Sequence, residues 1–551
     1  TAAAFQSALL QALDSDQGRH ADAVAPSPRP GPLPLPKPPP VVHSVEPVEP
    51  VEPVERRRWV PRLGGLASVG CLGLLVMALV LVGVLVQRDL QDRDACAAAK
   101  STASVVGWRD YLTQHPAGRC EALATGYTDA ICVGTGRGCE PTLVSAMERA
   151  ITGSTIELGT GRYEAGVHLD KPVTVSGRGQ VVLFSATEAP LTVNSEVHLS
   201  NLTLEAPSGG VGLDVEGGAV TVEDLRATSL VVQTYGKLTG TGVTLDGSEG
   251  TAALVEGDLT LSDSTILNAA STGMTVPLGG RATLTNVVFA KNALGLHVSG
   301  SVSSEGGAVR DSTGTGVLVE ATGHAELRRL QCSSNRGYGA HFSGSSSVVE
   351  GVYSHNGNTG VVVAGTAIVT LTGAEVQHNG AHGVWVGSEA SVIGSGLQLN
   401  DNRSSGSFSG GRLTLSDSTV SRNGASGITV SGPSVALDGV QAEANVGRGV
   451  SVSGVDEPRL DAVTTTGNGG AGLYIERCVQ ATVEGLSSTA NKGDGLGLSG
   501  CRAEISASVV EGNRWNLWVY SGGTGTFRDG TVQSSGNQWG NMTRGDNVVI
   551  Q

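Results

Sequence analysis

Three carboxylates recur at a fixed interval near the C-terminal end of the chain. Asp438, Asp461 and Glu484 are each separated by 23 residues. Carboxylate oxygens are ligands that Ca²⁺ prefers, and like charges held close together repel unless water or a cation neutralises them. The interval therefore raises the hypothesis of a calcium site. The alternative is a row of turn residues whose carboxylates diverge into water, and no other cofactor is expected.

Two further pairs repeat with the same interval. His355 and His378 are 23 residues apart, which predicts that they lie side by side. Two His side chains alone are only a weak indication of a metal site, and ordinary turn residues are the alternative. Cys478 and Cys501 are also 23 residues apart and predict either a disulfide or simply a stacked row.

These intervals belong to an internal repeat. Asn residues follow one another at spacings of 21 to 23, each with Gly four positions later, and most are followed by an apolar-x-apolar triplet such as Val384–Val386. We call them the Asn ladder: Asn335, Asn356, Asn379, Asn402, Asn423, Asn445, Asn468 and Asn491. Short alternating strands with this period and no helix predict a β-solenoid. Asn suits one of its turns, because Asn tolerates a left-handed backbone and its amide can bond to that of the next coil.

The repeat also predicts which side chains face outward. Inward and outward residues alternate along a strand, so the residues six positions after each ladder Asn should form one outward row. Aromatic residues are only 4% of the chain, yet this row and a nearby shortened coil contain His341, Trp385, Phe408, Tyr474 and Trp518. Sugar rings stack on exposed aromatic faces, and a solenoid offers an extended surface. We therefore predict a glycan-binding stripe; the alternative is that the rings pack beneath a loop or a partner.

The segment PTLVSAMERAITGSTIELGTGRYEAGVHLDKPVTVSGRG, residues 141–179, resembles the opening of the pectate-lyase-like β-helix superfamily. The shared order is a helix, a first strand, Gly-x-Tyr, a second strand and Lys-Pro. The resemblance implies an all-β solenoid over residues 131–551, a right-handed parallel β-helix with coils of 22–23 residues. Leu143, Met147, Ala150 and Ile151 form an apolar helix face that would cap the open end of the core.

The enzymes of this superfamily act on acidic polysaccharides with Asp clusters, often with Ca²⁺ and an Arg or Lys base. The chain lacks the polygalacturonase combination of Asn-Thr-Asp, Asp-Asp and Gly-His-Gly, and it lacks the Asp-Pro-His-Asp of alginate epimerases. No catalytic residue is therefore predicted in this chain.

An uncharged apolar segment precedes the repeat. Residues 64–86 contain no charged side chain, and about 20 apolar residues are enough to span a bilayer. The Arg-rich residues 56–62 lie on its N-terminal side, which predicts a cytoplasmic N-terminus and a β-helix outside, in the periplasm or at the cell surface. A buried helix of a soluble domain is the alternative. Residues 14–63 are predicted to be a disordered Pro-rich linker, and residues 87–130 a short helical spacer.

Residues 1–13 resemble the closing helix of bacterial transmembrane Ser/Thr protein kinases, with Phe5, Leu9, Leu10 and Leu13 at helical spacing. The resemblance implies an upstream kinase domain, and the start at Thr1 instead of Met leads us to expect further sequence before it. The present chain contains none of the kinase motifs, such as Val-Ala-Ile-Lys, His-Arg-Asp or Asp-Phe-Gly. A plain membrane-anchored β-helix protein is the competing interpretation.

Cysteine placement agrees with an oxidising compartment for the C-terminal part. Cys96 with Cys120 and Cys132 with Cys139 are plausible disulfides, whereas Cys332 has no obvious partner. The formal net charge of −15 argues against a nucleic-acid partner.

These observations predict a non-catalytic, extracytoplasmic recognition domain that binds polysaccharide or another envelope component. The hypothesis includes a role as the sensor of a transmembrane Ser/Thr kinase. A polysaccharide lyase or epimerase of the same fold is one alternative, and a structural adhesin is the other.

Overall fold

The computed structural model describes residues 70–519, 523–527, 532–535 and 548–550. The chain divides into two units, Thr1–Met77 and Ala78–Gln551, and only residues 70–77 of the first are described. The predicted helix 1–13, the predicted linker 14–63 and the start of the predicted membrane span 64–86 lie outside the described residues. Within the described ranges, no helix combines the length and apolar character needed to cross a bilayer.

Within the described residues, four helices precede the β-solenoid or cap it. Helix α1 covers Gly70–Thr102, α2 Val105–Gln114, α3 Glu121–Thr128 and α4 Leu143–Arg149. The C-terminal part of α1 packs with α2 and α3 around a small core: Cys96, Ala99, Trp108, Tyr111, Cys120 and Ala124. The predicted disulfide between Cys96 and Cys120 links this core.

Buried polar contacts complete the helical spacer. The nearly buried Asp92 carboxylate accepts hydrogen bonds from the backbone N–H of Arg119 at 2.9 Å and from the Tyr111 hydroxyl at 2.5 Å. These two donors hold the pKa of Asp92 below its usual range, since they favour the charged form. The spacer joins the next domain through a parallel bridge between Ser104 and Thr152, where Val105 N–H donates to the Thr152 carbonyl at 2.9 Å.

The remainder is an all-β parallel solenoid of about 18 turns. Every strand pairing in it is parallel and joins one coil to the next, so the coils form three long sheets. We call them A, B and C, in the order in which the chain passes through them after each ladder turn. Three long strands bend through more than one sheet: Val197–Glu205, Leu213–Ala227 and Leu230–Thr241.

Sheet A contains the strand that follows each ladder turn. Apart from the three long strands, its strands are Val167–Leu169, Leu191–Val193, Ala253–Val255, Thr272–Val276, Leu294–Val298, Val317–Val319, Ala340–Phe342, Val361–Val363, Val384–Val386, Ser407–Ser409, Ile428–Val430, Val450–Ser453, Leu473–Glu476, Asp494–Ser499 and Trp515–Val519.

Sheet B contains the second strand of each coil, most often five residues long. Its strands are Ile131–Val133, Ser154–Leu158, Val173–Gly177, Asp258–Ser262, Arg281–Thr285, Ser301–Glu305, His324–Arg328, Ser346–Val349, Ile368–Thr372, Ser391–Ser395, Arg412–Ser416, Ser434–Asp438, Arg459–Asp461, Gln480–Glu484, Arg502–Ser506, Thr524–Phe527 and Val548–Ile550.

Sheet C contains the strand that leads into the ladder turn. Its strands are Gly161–Glu164, Val181–Phe184, Thr244–Asp246, Thr265–Leu267, Val288–Ala290, Ala308–Arg310, Gln331–Ser333, Val352–Ser354, Glu375–Gln377, Gln398–Asn400, Thr419–Ser421, Gln441–Glu443, Thr464–Thr466, Ser487–Thr489, Ser508–Glu511 and Val532–Ser535.

A single apolar core runs inside the coils. Inward Val, Leu, Ile and Ala side chains alternate with outward polar ones; in Ile368–Thr372, Val369 and Leu371 are buried while the flanking residues are exposed. Helix α4 covers the N-terminal end of this core with Leu143, Ala146 and Met147. Its first turn is fixed by a capping box in which Thr142 and Ser145 exchange hydrogen bonds.

The Asn ladder is the most regular feature inside the solenoid. Each ladder Asn is almost completely buried, and its Nδ2 donates to the Oδ1 of the next Asn at 2.9–3.1 Å. The same Oδ1 also accepts the backbone N–H of the preceding Asn at 2.9–3.2 Å. The other N–H of the same Nδ2 donates to a strand carbonyl of an earlier coil, as Asn402 does to the carbonyl of Val376. The ladder extends one step beyond the prediction, to Asn513.

The left-handed backbone predicted for the ladder Asn is instead found one residue earlier. His355 and His378 both have φ of 57°, and Ser334, Asp401 and Arg422 have φ between 55° and 58°. The prediction was wrong by one residue because the Asn must point its amide into the turn, which leaves the preceding residue to reverse the chain direction.

Disulfides reinforce the solenoid at two places. Cys132 is bonded to Cys139 before helix α4, and Cys478 is bonded to Cys501 across two adjacent coils, which decides the alternative left open above. Among the described cysteines, Cys332 is unpaired and buried, and burial raises the pKa of its thiol.

Removing one ladder amide should destabilise the whole solenoid. In Asn402→Ala, the backbone N–H of Asn379 and the carbonyl of Val376 lose buried partners, so we expect a loss of at least about 2 kcal/mol of unfolding free energy. The measurement is chemical denaturation of the full chain. Gln441→Ala, an exposed change on sheet C, should stay within about 0.5 kcal/mol of the wild type. Equal effects of the two variants would contradict a structural role for the ladder.

Two buried tyrosines should respond oppositely to loss of their hydroxyl. The Tyr353 hydroxyl is buried in the core without a hydrogen-bond partner, so Tyr353→Phe should leave the denaturation midpoint unchanged or raise it. The Tyr111 hydroxyl donates to Asp92 and accepts from Cys120 N–H at 3.0 Å, so Tyr111→Phe should lower the midpoint of the spacer. Thermal unfolding of both variants tests this, and a stability loss in Tyr353→Phe would show that its hydroxyl has a partner.

Candidate functional site

Strand pairing joins the residues six positions after each of the eight predicted ladder Asn residues, together with Trp518 in the shortened last coil, into one continuous line on sheet A, which we call the outward row. In order it contains His341, Val362, Trp385, Phe408, Thr429, Ser451, Tyr474, Gly497 and Trp518. Neighbours in such a row are about 4.8 Å apart. The five residues of the predicted stripe therefore share one face of the solenoid.

The outward row is less exposed than the sequence predicts. Trp385, Phe408 and Tyr474 are half-buried, and Val362 is 6% exposed. The reason is a second row at the ladder turn, which packs beside the first. The ring of Tyr338 meets His341 edge-on at 5.8 Å between centroids, and that of His382 lies 5.2 Å from Phe408.

This second row consists of the residues three positions after each ladder Asn, and we call it the turn row. Its members are Tyr338, Thr359, His382, Ser405, Ser426, Arg448, Ala471 and Asp494, and Trp515 pairs with Asp494 in the last coil. Their backbones stack regularly, since the carbonyls of His382 and Asp494 each accept the N–H of a Gly in the preceding coil. Sequence reasoning missed this row, although its fixed offset from the Asn ladder was a usable signal.

The two rows enclose a groove of about 520 Å³ near the middle of the solenoid, which we call the His groove. It is lined by uncharged or neutral residues: Tyr338, His341, Asn358, Thr359, Val362, Ala364, Ala381, His382 and Trp385. Burial lowers the pKa of His341, an effect that nearby Glu320 opposes, and burial lowers the pKa of His382 as well. Both imidazoles are therefore neutral at neutral pH.

A second groove of about 400 Å³ lies further along the same rows and differs in charge. This Arg groove is lined by Arg448, Gly470, Ala471, Tyr474, Gly493, Asp494, Arg514, Trp515 and Trp518. The guanidinium of Arg448 lies 3.9 Å over the Tyr474 ring and donates to Ser451 Oγ at 3.0 Å. The rings of Trp515 and Trp518 are 5.1 Å apart. This one cleft therefore combines aromatic side chains with two arginines.

A family model for the right-handed β-helix region matches residues 241–394, 306–434 and 392–539, which together exceed half of the chain. The chain belongs to the right-handed β-helix family. The matched coils include both grooves and the whole predicted Asn ladder. Comparison with curated proteins gave no significant match.

The matches found among solved structures include three enzymes. The A-module of mannuronan C-5 epimerase AlgE4 from Azotobacter vinelandii is 14% identical, with 72% of this chain and 91% of that one covered and a TM-score of 0.23. The periplasmic alginate epimerase AlgG is 10% identical, with coverages of 73% and 84% and a TM-score of 0.21. Pectate lyase Pel9A is 12% identical, with coverages of 76% and 78% and a TM-score of 0.16. At identities and TM-scores this low, no activity or site residue is transferred to this β-helix.

The acidic row of the β-helix is aligned as the spacing indicates but does not converge. Asp438 pairs with Asp461, and Asp461 with Glu484, on three successive strands of sheet B. All three residues are exposed. Among the described residues, no group of three His, Cys, Asp or Glu side chains is arranged to hold a metal ion. The calcium hypothesis therefore gains no support from the geometry, which is that of a solvated row at the strand ends.

The two turn histidines are also aligned. The rings of His355 and His378 stack nearly parallel, with centroids 4.9 Å apart. The next position is Asp401, whose carboxylate is bound by Arg422 at 2.7 Å; this hydrogen bond lowers the pKa of Asp401. The stacked pair lies outside the two grooves and brings no third metal ligand with it.

Proposed function

We propose that this β-helix recognises an extended polysaccharide, or a similar polymer of the cell envelope, along the outward and turn rows. The observation that carries the proposal is the concentration of scarce aromatic residues on one face. Only 4% of the residues in the chain are aromatic, yet this face contains Tyr338, Trp385, Phe408, Tyr474 and Trp518. Four of these five, all except Phe408, also line one of the two grooves. Aromatic faces and adjacent hydrogen-bonding groups are what a sugar chain requires of its binding site.

The geometry favours a long ligand over a small one. Trp385 and Tyr474 are four coils apart, which corresponds to roughly 19 Å along the solenoid axis. Both rings project from strands whose neighbouring residues, such as Val384 and Val386, are fixed in the core. Such preorganised rings lose little conformational entropy when a ligand binds.

The composition of the two grooves favours binding over glycosidic cleavage. Hydrolysis of a glycosidic bond commonly uses two facing carboxyl groups, one as acid and one as base or nucleophile. Among the residues that line the two grooves, Asp494 is the only carboxylate. A lyase or epimerase reaction remains the alternative that turnover assays on any bound polymer would reveal.

The proposal includes attachment to a membrane through residues 64–86, with the β-helix outside. The uncharged sequence and the preceding Arg cluster support it. In the described part of α1, the apolar side chains of Leu79, Leu81 and Leu85 are each more than half exposed, as expected of a segment that contacts lipid. Coupling to an upstream kinase rests on the resemblance of residues 1–13 and on the order of Pro-rich linker, apolar segment and C-terminal β-helix, and it stays a prediction.

Truncating single rings on the outward row should weaken binding selectively. Each stacked ring contributes about 1 kcal/mol, so Trp385→Ala and Tyr474→Ala should each weaken binding about fivefold. The matched control is Tyr235→Ala, which removes an aromatic ring that is 89% exposed and lies outside both rows. The measurement is affinity for a panel of soluble and envelope polysaccharides, with unfolding recorded for each variant.

The same experiment distinguishes a binding surface from a packing surface. Trp385→Ala should cost less stability than Val386→Ala, which opens a cavity at a fully buried position. Binding that is equally reduced by Tyr235→Ala would refute the assignment to these rows. Absence of binding to every polymer would leave the structural adhesin as the better interpretation.

The topology can be tested separately. A reporter fused after Gln551 should be active outside the cytoplasm, and one fused after Val54 should be active inside, because the Arg cluster precedes the apolar segment. Protease added to intact cells should reach the β-helix. A cytoplasmic C-terminal reporter would overturn both the orientation and the membrane part of the proposal.

A further inference from the structure

We propose that the His groove binds an uncharged, hydroxyl-bearing sugar unit through N–H groups of His341 and His382, with Trp385 as the stacking face. This inference rests on the proposed recognition function and specifies which part of the ligand this groove takes. It follows from the position of the proton on each of the two neutral imidazoles and from the absence of charged side chains among the residues that line the groove.

Each imidazole has one nitrogen whose environment fixes the position of its proton. Nε2 of His341 and Nδ1 of His382 are buried and have no hydrogen-bond partner. A buried N–H without an acceptor is more costly than a buried unpaired acceptor. The proton of each neutral ring therefore resides on the other nitrogen, Nδ1 in His341 and Nε2 in His382.

Those second nitrogens are the ones available to a ligand. Both rings line the groove, and the buried nitrogens without a partner are Nε2 of His341 and Nδ1 of His382, not Nδ1 of His341 or Nε2 of His382. Each thus offers an N–H donor to an oxygen acceptor in the groove. Hydroxyl, ring and glycosidic oxygens of a sugar are acceptors of this kind, and Asn358 and Thr359 in the same lining provide further polar groups.

The absence of charge argues against an anionic unit at this position. An anion in a partly buried site needs a cation or several donors to offset its desolvation, and the groove lining contains no Lys or Arg. The nearby carboxylate of Glu320 interacts with His341, and its Oε1 lies at hydrogen-bond distance, 3.2 Å, from Nε2 of His297. A nearby carboxylate would repel an anionic ligand further. Two cations are found instead in the Arg groove.

Conservative variants test the donors separately from the shape. In His382→Phe the ring that contacts Phe408 is retained and the donor is lost, so binding of a neutral probe should weaken about tenfold. In His382→Gln the side-chain amide can donate from near the Nε2 position, so binding should stay within about threefold of wild type. His341→Asn, which can donate from near the Nδ1 position, should likewise bind better than His341→Phe.

The probes are dextran, laminarin and xylan as neutral polymers, and alginate and polygalacturonate as anionic ones, with the full chain at pH 7.5 and pH 6. Because burial lowers the pKa of both rings, protonation of the imidazoles, and any change in neutral-probe affinity that it causes, should occur at lower pH than for an exposed His. Three results would each overturn the inference and leave the recognition function standing. The first is equal affinity of His382→Phe and the wild type, and the second is an equal loss of affinity in His382→Phe and His382→Gln. The third is binding of the anionic probes alone. Failure of all probes to bind would overturn both.

Discussion

The Asn ladder is the constraint on which the rest of this β-helix depends. A rung inside the ladder, such as Asn402, receives two hydrogen bonds on its amide oxygen and gives two from its amide nitrogen, all within the apolar interior where a lost bond is costly. Since the amides must lie one above another, no coil can slip relative to the next without leaving buried groups unpaired. The ladder therefore fixes the register of residues that never contact it.

The proposed function is a consequence of that register. Residues at the same number of positions after each ladder Asn form a straight line of side chains along the solenoid. The residue types at two such positions, those of the outward row and the turn row, therefore determine a long surface. The outward row provides rings and the turn row provides imidazole, guanidinium and carboxylate groups beside them. The same scaffold thus contains a neutral groove and a cationic groove on one face, with different residue types at equivalent positions.

The sequence predicted the features that repeat and missed those that depend on neighbouring side chains. The ladder, the row from His341 to Trp518 and the sheet alignment of Asp438 with Asp461 all follow from counting residues. Half-burial of Trp385 does not, because it results from packing against the turn row, whose residue types vary from coil to coil. Nor could counting residues predict that the buried Nε2 of His341 has no hydrogen-bond partner, because this depends on which side chains surround it in the folded chain. At Asn513 the spacing was regular, but the Gly expected four residues later is Leu517, so the last rung was missed.

We propose that a polysaccharide binds to the face formed by the outward row and the turn row. Oxidative footprinting of the full chain, with and without a bound polymer, measures this directly for each aromatic side chain. We expect binding to protect Tyr338, Trp385, Tyr474 and Trp518 and to leave the highly exposed Tyr235 as reactive as before. Protection of Tyr235 with no change at Trp385 and Tyr474 would contradict it.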